Sequence, residues 1–242
     1  GTITNCYFDS NNYGGDAVGY IYGGTITDVE GKTTNAFEKG EVCYLLQSGE
    51  SPMVWGQNIG TDKAPVLTSE SAKTVYQNTK GCVTYSNNKS EEITEKPHGD
   101  FGADFRCTVC GNYETPVFNK DAVYEISNAS QLYWFAECVN KRNTSAKAIL
   151  KENIVVNENV LGADGKIVSD KSKFVSWTPI GNGSKQYTGT FNGNGKTISG
   201  LYFDNNGTDY VGLFGYVGSG GNVSNVGVVA SYFNGKYYVG GV

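Results

Sequence analysis

Charged side chains are scarce in this chain: Asp, Glu, Lys and Arg together make 18% of its 242 residues. Acids outnumber bases by 24 to 19, for a net charge of −5 and a pI near 5.0. No cluster of Lys and Arg is present to replace the counterions of a phosphate backbone, which argues against nucleic acid and anionic membrane surfaces as partners. No run of 18 apolar residues occurs, so no segment of this chain is expected to insert into a membrane. Proline is rare at 5, which suits strands that run through a long stack. Histidine occurs once, at His98, so no Ser/His/Asp set can be assembled around a repeat. Six cysteines are too few for a disulfide-dense scaffold, although an even count leaves 15 pairings open.

What is abundant is glycine, 33 residues, and tyrosine, 17, with many Asn, Ser and Thr. Aromatic residues at 13% are too many for a disordered chain, and the balance reads as an all-β extracellular protein. The sequence also repeats. Tyr210-Val211-Gly212 recurs as Tyr238-Val239-Gly240, 28 residues on. Between them Gly221-Asn222-Val223-Ser224-Asn225-Val226 matches Gly1-Thr2-Ile3-Thr4-Asn5-Cys6 and Gly24-Thr25-Ile26-Thr27-Asp28-Val29. The shared pattern is G-x-(I/V)-(S/T)-(N/D)-(V/C). Apolar residues alternate over short runs, which is strand-like, and Gly, Asn and Asp supply the positive φ angles of tight bends. One such unit cannot bury its inner face alone, but stacked units can. The expected fold is mostly β, with right-handed parallel β-helix (solenoid) segments at both ends, capping helices, and a small central Cys/His module.

Residues 1–30 read as terminal solenoid coils, with Asp9 to Gly15 as a turn. Residues 31–70 read as a capping helix and loop. The helix is expected over Asn35–Gln47, with Asn35 and Glu38 as a capping box and Phe37, Val42, Leu45 and Leu46 as its apolar stripe. Such a helix would cover the open end of a stack and block its strand edges. Residues 71–118 read as a linker module. Within it Thr74–Tyr76 and Val83–Tyr85 are a predicted strand pair, and 86–96, SNNKSEEITEK, a surface loop. Residues 119–242 read as an opening cap helix, starting at the box Asn128-Ala129-Ser130-Gln131, and the first coils of a second solenoid. Leu132, Phe135, Ala136 and Val139 share one face of that helix, with Trp134 beside it. Both termini fall inside repeats, so the chain reads as a stretch of a longer protein or one unit of a tandem array.

Cys107-Thr108-Val109-Cys110-Gly111 has the spacing of a metal-binding knuckle, and Gly111 permits the tight turn. His98 lies nine residues upstream and Cys82 sixteen before that. Cys82, His98, Cys107 and Cys110 would make a Cys3His structural zinc site, stabilising a module with little core. A Cys107–Cys110 disulfide, free thiols, or a catalytic dithiol are the alternatives. Cys6 and Cys43 could be bonded to each other, but both read better as small buried hydrophobes, and Cys138 reads the same way. Asp204 to Asp209 lacks the downstream Glu of a Ca²⁺ loop and reads as a turn. Asn192-Gly193-Asn194-Gly195 reads as a turn, with no helix following to cradle a phosphate. Asp9, Asp16, Asp28, Asp204 and Asp209 all lie in expected turns, and nothing makes two of them converge, so no catalytic residues are expected. Tyr187, Tyr202, Tyr210, Tyr216, Tyr232, Tyr237 and Tyr238 are either an aromatic row for sugars or stacks between coils.

Trp177-Thr178-Pro179-Ile180-Gly181, then Tyr187 to Leu201 (Y-T-G-T-F-N-G-N-G-K-T-I-S-G-L), then Y-V-G-L-F-G-Y-V and N-V-S-N-V-G-V, resemble the GLUG-repeat proteins. The likeness covers roughly residues 124–242, with 1–29 fitting as terminal coils. The helix at Asn128 resembles the segment before the first coil of such proteins. Residues 37–46 with G-Q-N-I-G-T-D-K-A-P-V-L resemble the segment after the last coil. The resemblance implies bacterial surface or secreted proteins that form right-handed β-helices, often adhesive or structural and sometimes attached to enzymes. It implies no catalytic residue. The expectation is a non-catalytic extracellular unit of a surface array or filament, with copies of itself as partners through head-to-tail solenoid stacking. A module recognising glycan or a host protein is the alternative, and an accessory domain of a polysaccharide-active enzyme a more distant one.

Overall fold

A computed structural model describes residues 1–13, 17–19, 22–47 and 54–242. The chain divides into two compact units, Gly1–Asp100 with Cys107–Asn112, and Phe101–Arg106 with Tyr113–Val242. Among the described residues it is mostly β.

The first unit opens with strands β1 (Thr2–Asp9) and β2 (Thr25–Lys32). They pair in parallel, with Thr2 opposite Thr25 and Cys6 opposite Val29, so the two copies of the motif lie side by side in register. The Asx position of each copy adopts the left-handed conformation: φ is +52° at both Asn5 and Asp28. Asn and Asp tolerate that region better than other residues with a Cβ, which explains the motif's choice at this position.

Helices α1 (Thr34–Glu38) and α2 (Glu41–Gln47) come next. The sequence pattern predicts a single helix capped by Asn35. Instead Thr33 is the N-cap, its Oγ1 accepting from Ala36 N at 3.2 Å. Gly40, at φ +93°, breaks the helix, and a Cβ there would collide with Ile59. Val42 and Cys43 are buried, whereas Phe37, Leu45 and Leu46 are only partly so. Lys32 holds α2 to β2 by ion pairs of 3.0 Å to both Glu41 and Glu30.

Six short strands complete this unit: β3 (Trp55–Gly56), β4 (Val66–Leu67), β5 (Tyr76–Gln77), β6 (Thr79–Gly81), β7 (Tyr85–Ser86) and β8 (Thr94–Lys96). β3–β4 and β5–β7 are antiparallel pairs, the second close to the expected one. β8 lies inside the stretch expected to be a loop, and it pairs in parallel with β6.

The second unit contains β9 (Val117–Phe118), β10 (Tyr124–Ile126), helix α3 (Ala129–Lys141), β11 (Ala148–Leu150), β12 (Ile154–Val155), β13 (Thr190–Ser199), β14 (Tyr202–Asp204), β15 (Asn222–Val229) and β16 (Tyr232–Asn234). β10, β11, β13 and β15 are successive parallel neighbours, and β14 pairs in parallel with β16. Asn192 to Gly195 does not end the strand. It is a bend within β13, where the register to β15 shifts, with Asn194 at φ +53° and Gly195 at +72°. Asn225, the Asx of the β15 copy, sits at +55°.

α3 begins as its sequence implies. Asn128 Oδ1 accepts from Gln131 N at 3.0 Å, and Gln131 Oε1 accepts from Ser127 N at 2.7 Å. Its face of Leu132, Phe135, Ala136 and Val139 is buried against Ile126, Leu150, Phe191, Ile198 and Leu201. Burying each large apolar side chain contributes about 1.5–3 kcal/mol. The polar ends of the buried aromatics are satisfied: Trp177 Nε1 donates to Gly212 O at 3.1 Å and Tyr187 Oη to Ala146 O at 2.9 Å.

Candidate metal centre

All four predicted ligands belong to the first unit. The pairing of β6 with β8 sets Gly81 opposite Lys96. Gly81 turns the chain at φ +72°, where a Cβ would lie 2.5 Å from the Lys96 carbonyl oxygen. Cys82 N then donates to Lys96 O at 2.7 Å. Cys82 is thus fixed just past one strand end, and His98 stands two residues past the other. Thr79 secures the turn: its Oγ1 donates to Cys82 O at 2.6 Å and accepts from Thr84 N at 2.9 Å.

The knuckle brings the other two sulfurs. Gly111 N donates to Cys107 O and Cys107 N to Asn112 O, both at 2.8 Å, while Thr108 N is held by Asp100 O at 3.0 Å. Gly111 takes φ +76°, and Asn35 occupies the space a Cβ would need, with Oδ1 2.7 Å from that point. One turn along α1, Lys39 Nζ donates to Val109 O at 3.4 Å. Asn35 in α1 and Lys39 at its C-cap therefore flank the knuckle.

The result is a compact donor set. The imidazole nitrogen and three Sγ atoms all lie within 4.8 Å of one another. Cys82 Sγ is 3.5 Å from Cys107 Sγ, and Cys110 Sγ is 3.5 Å from His98 Nδ1. A tetrahedral ion with metal–sulfur bonds of about 2.3 Å has sulfur–sulfur edges of about 3.8 Å. The cluster could hold such an ion with little rearrangement. Cys82 and Cys107 are buried, Cys110 and His98 half-buried.

The thiols are unequal. Burial raises Cys107, but backbone N–H groups of Cys110, Val109 and Gly99 and the His98 side chain outweigh it and bring the pKa down to about 6. Burial and the neighbouring sulfurs push Cys110 up to about 12, and burial also raises Cys82. A thiolate at Cys107 is the start of a metal-binding set.

The remaining candidates do not gather. No cysteine is disulfide-bonded. Cys43 is buried as expected, but Cys6 is exposed and Cys138 half-buried, because neither strand β1 nor that flank of α3 is covered at those positions. Asp9 is occupied by Thr34, Asn11 and Asn12. Asp204 accepts from Lys171 Nζ and Asn234 Nδ2. Asp16 lies outside the described residues. Tyr187 is buried. Tyr210 and Tyr238, one repeat apart, stack at 4.9 Å and 6°, and Tyr202 on Tyr232 at 6.1 Å and 20°. Each pair covers one face of each ring, while Tyr237 and Tyr238 stay 57% and 72% exposed. Sequence reasoning missed Asn35 and Lys39 as neighbours of the knuckle; their spacing of four residues, one helical turn, was the available signal.

No family model matches the chain, and no solved structure matches it. Two known proteins share a short segment with it. A protein described as "Putative Gly-rich membrane protein", from Evansella cellulosilytica, is 38% identical over 56 residues, 23% of this chain and 6% of that protein. "Halomucin", from Haloquadratum walsbyi, is 41% identical over 63 residues, 26% of this chain and 1% of that protein. The chain thus spans a small fraction of the relatives it matches. No described helix is long and apolar enough to cross a membrane.

Proposed function

We propose that this chain is a non-catalytic structural segment of a cell-surface protein. In this reading both ends are coils of a right-handed parallel β-solenoid related to the GLUG repeats, and Cys82, His98, Cys107 and Cys110 bind a structural Zn²⁺. The carrying observation is the parallel pairing of repeat-like strands: β1 with β2 and β14 with β16 in register, and β13 with β15 on either side of the bend at Asn192–Gly195. Stacks of this kind grow by addition of like units, with stability summed over neighbours. The outer edge of β15 and the outer edge of β1 carry the same motif, so a coil of either kind, from the flanking chain or from another copy, suits either edge. The surface location draws on low charge, high Gly and Tyr, and the names of the two similar proteins. The donor set of three sulfurs and one imidazole suits Zn²⁺, and four protein ligands close the coordination sphere, as structural sites require.

Native mass spectrometry of the protein isolated from its source tests the reading. Species at multiples of 26.0 kDa support stacking of separate copies. A much heavier single chain supports stacking of repeats within one molecule. A lone 26.0 kDa species that cleaves a polysaccharide overturns the structural reading.

A further inference from the structure

Resting on the metal-site reading above, we infer that Cys110 is the ligand through which small peroxides reach and oxidise the centre, releasing the metal. Three features point to it. Cys82 and Cys107 are 0% and 1% exposed, whereas Cys110 is half-buried. Cys110 also lines a cavity of about 210 Å³ beside the centre, walled by Ala36, Lys39, Val83, Tyr85 and Val109 among others. No other ligand thiol lines it. Finally, both remaining sulfurs stand within 4.8 Å of Cys110, close enough to resolve an oxidised intermediate.

The chemistry balances with hydrogen peroxide as oxidant. The Cys110 thiolate attacks one peroxide oxygen, forming an S–O bond as the O–O bond breaks. The departing hydroxide takes a proton and becomes water, leaving Cys110 as a sulfenic acid. The thiolate of Cys107 or Cys82 then attacks the Cys110 sulfur. An S–S bond forms, the S–O bond breaks, and the second oxygen leaves as water after protonation. Two thiols lose two electrons in total and peroxide is reduced to two waters. Only His98 and one cysteine remain as ligands, too few to retain the ion.

The test treats the purified full chain with hydrogen peroxide. It follows Zn²⁺ with a chromophoric indicator and the thiols by differential alkylation and peptide mapping. Cys110 should lose alkylation first, and Zn²⁺ release should track formation of a disulfide that includes Cys110. Ala36→Leu, which fills the cavity, should slow both severalfold while leaving metal content unchanged. Val83→Ile serves the same purpose if Ala36→Leu loses the metal. Oxidation of Cys82 or Cys107 ahead of Cys110, or a filled cavity with an unchanged rate, overturns the inference. Protein that binds no Zn²⁺ at all overturns the metal reading together with this inference, whereas zinc-loaded protein oxidised first at Cys82 or Cys107 overturns this inference alone.

Discussion

Stripping the metal should unfold the segment around the knuckle and leave the second unit standing. Between residues 54 and 112 the buried apolar side chains are Val75, Cys82 and Cys107, and two of these three belong to the Cys/His cluster. A single buried Val contributes about 1.5–3 kcal/mol. A structural Zn²⁺ site contributes about 10–16 kcal/mol near pH 7 in small domains. The ion therefore outweighs local packing several times over. The second unit has Leu132, Phe135, Leu150, Phe191 and Ile198, all at 0% exposure, and no donor cluster among its described residues. Amide hydrogen exchange separates the two responses. The reporters in the first unit are the amides of Cys82, Cys107 and Gly111, each bonded to a backbone carbonyl. Those in the second are Val156 and Tyr187, bonded to Ser199 and Tyr216. After chelation the first set should exchange as an unfolded chain does, with the second set unchanged. Protein shown to be metal-free whose Cys82, Cys107 and Gly111 amides stay protected would refute the reasoning.

Three further outcomes rest on the geometry. Zn²⁺ binding at pH 7 should release about two protons, from Cys82 and Cys110, because Cys107 at about 6 is already ionised. The metal-bound thiolates have depressed pKa values, so this stabilisation is present at higher pH and is lost as pH falls. Calorimetry in buffers of differing ionisation enthalpy measures it, and release of no protons would contradict the assignment. Gly200→Ala should lower the melting temperature of the second unit: φ is +73°, and the added Cβ would overlap the Asn157 carbonyl oxygen. The left-handed backbone alone costs about 1–2 kcal/mol there, with the steric conflict added to it, as a denaturant titration would show. Asn225→Val should cost about 1–2 kcal/mol by the same measurement, since φ is +55°, whereas Asn225→Gly should be close to neutral.

The repeats were legible because each copy states its own geometry. Alternating apolar residues give strands, and an Asx after Ser or Thr gives the left-handed bend found at Asn5, Asp28 and Asn225. Helix α3 was legible because Asn128 and Gln131 cap it and four apolar residues share its buried face. α1 was misread because Thr33 and Asn35 compete as caps two residues apart, and only the packing around Gly40 shows where the helix breaks. β8 was invisible because all three of its residues are exposed. A strand with no buried face leaves no alternation to read. Yet that strand brings His98 towards Cys82, so the Cys/His cluster was read from cysteine spacing and the single histidine, not from the element that assembles it. The opposite exposures of Cys6 and Cys43 were beyond the sequence, since both are small residues in apolar patterns.

The matched bends of the repeats make this a chain that counts. Each added parallel strand lengthens a sheet by about 4.8 Å, whatever its side chains. Duplication or loss of a whole repeat of the β1–β2 kind would keep Asx beside Asx, as Asn5 is beside Asp28, and would change reach in small, equal steps. Loss of one residue within a repeat would instead turn its inward side chains outward and misalign every bend beyond it. Variation in length should therefore accumulate in whole repeats, much as links are added to or removed from a chain.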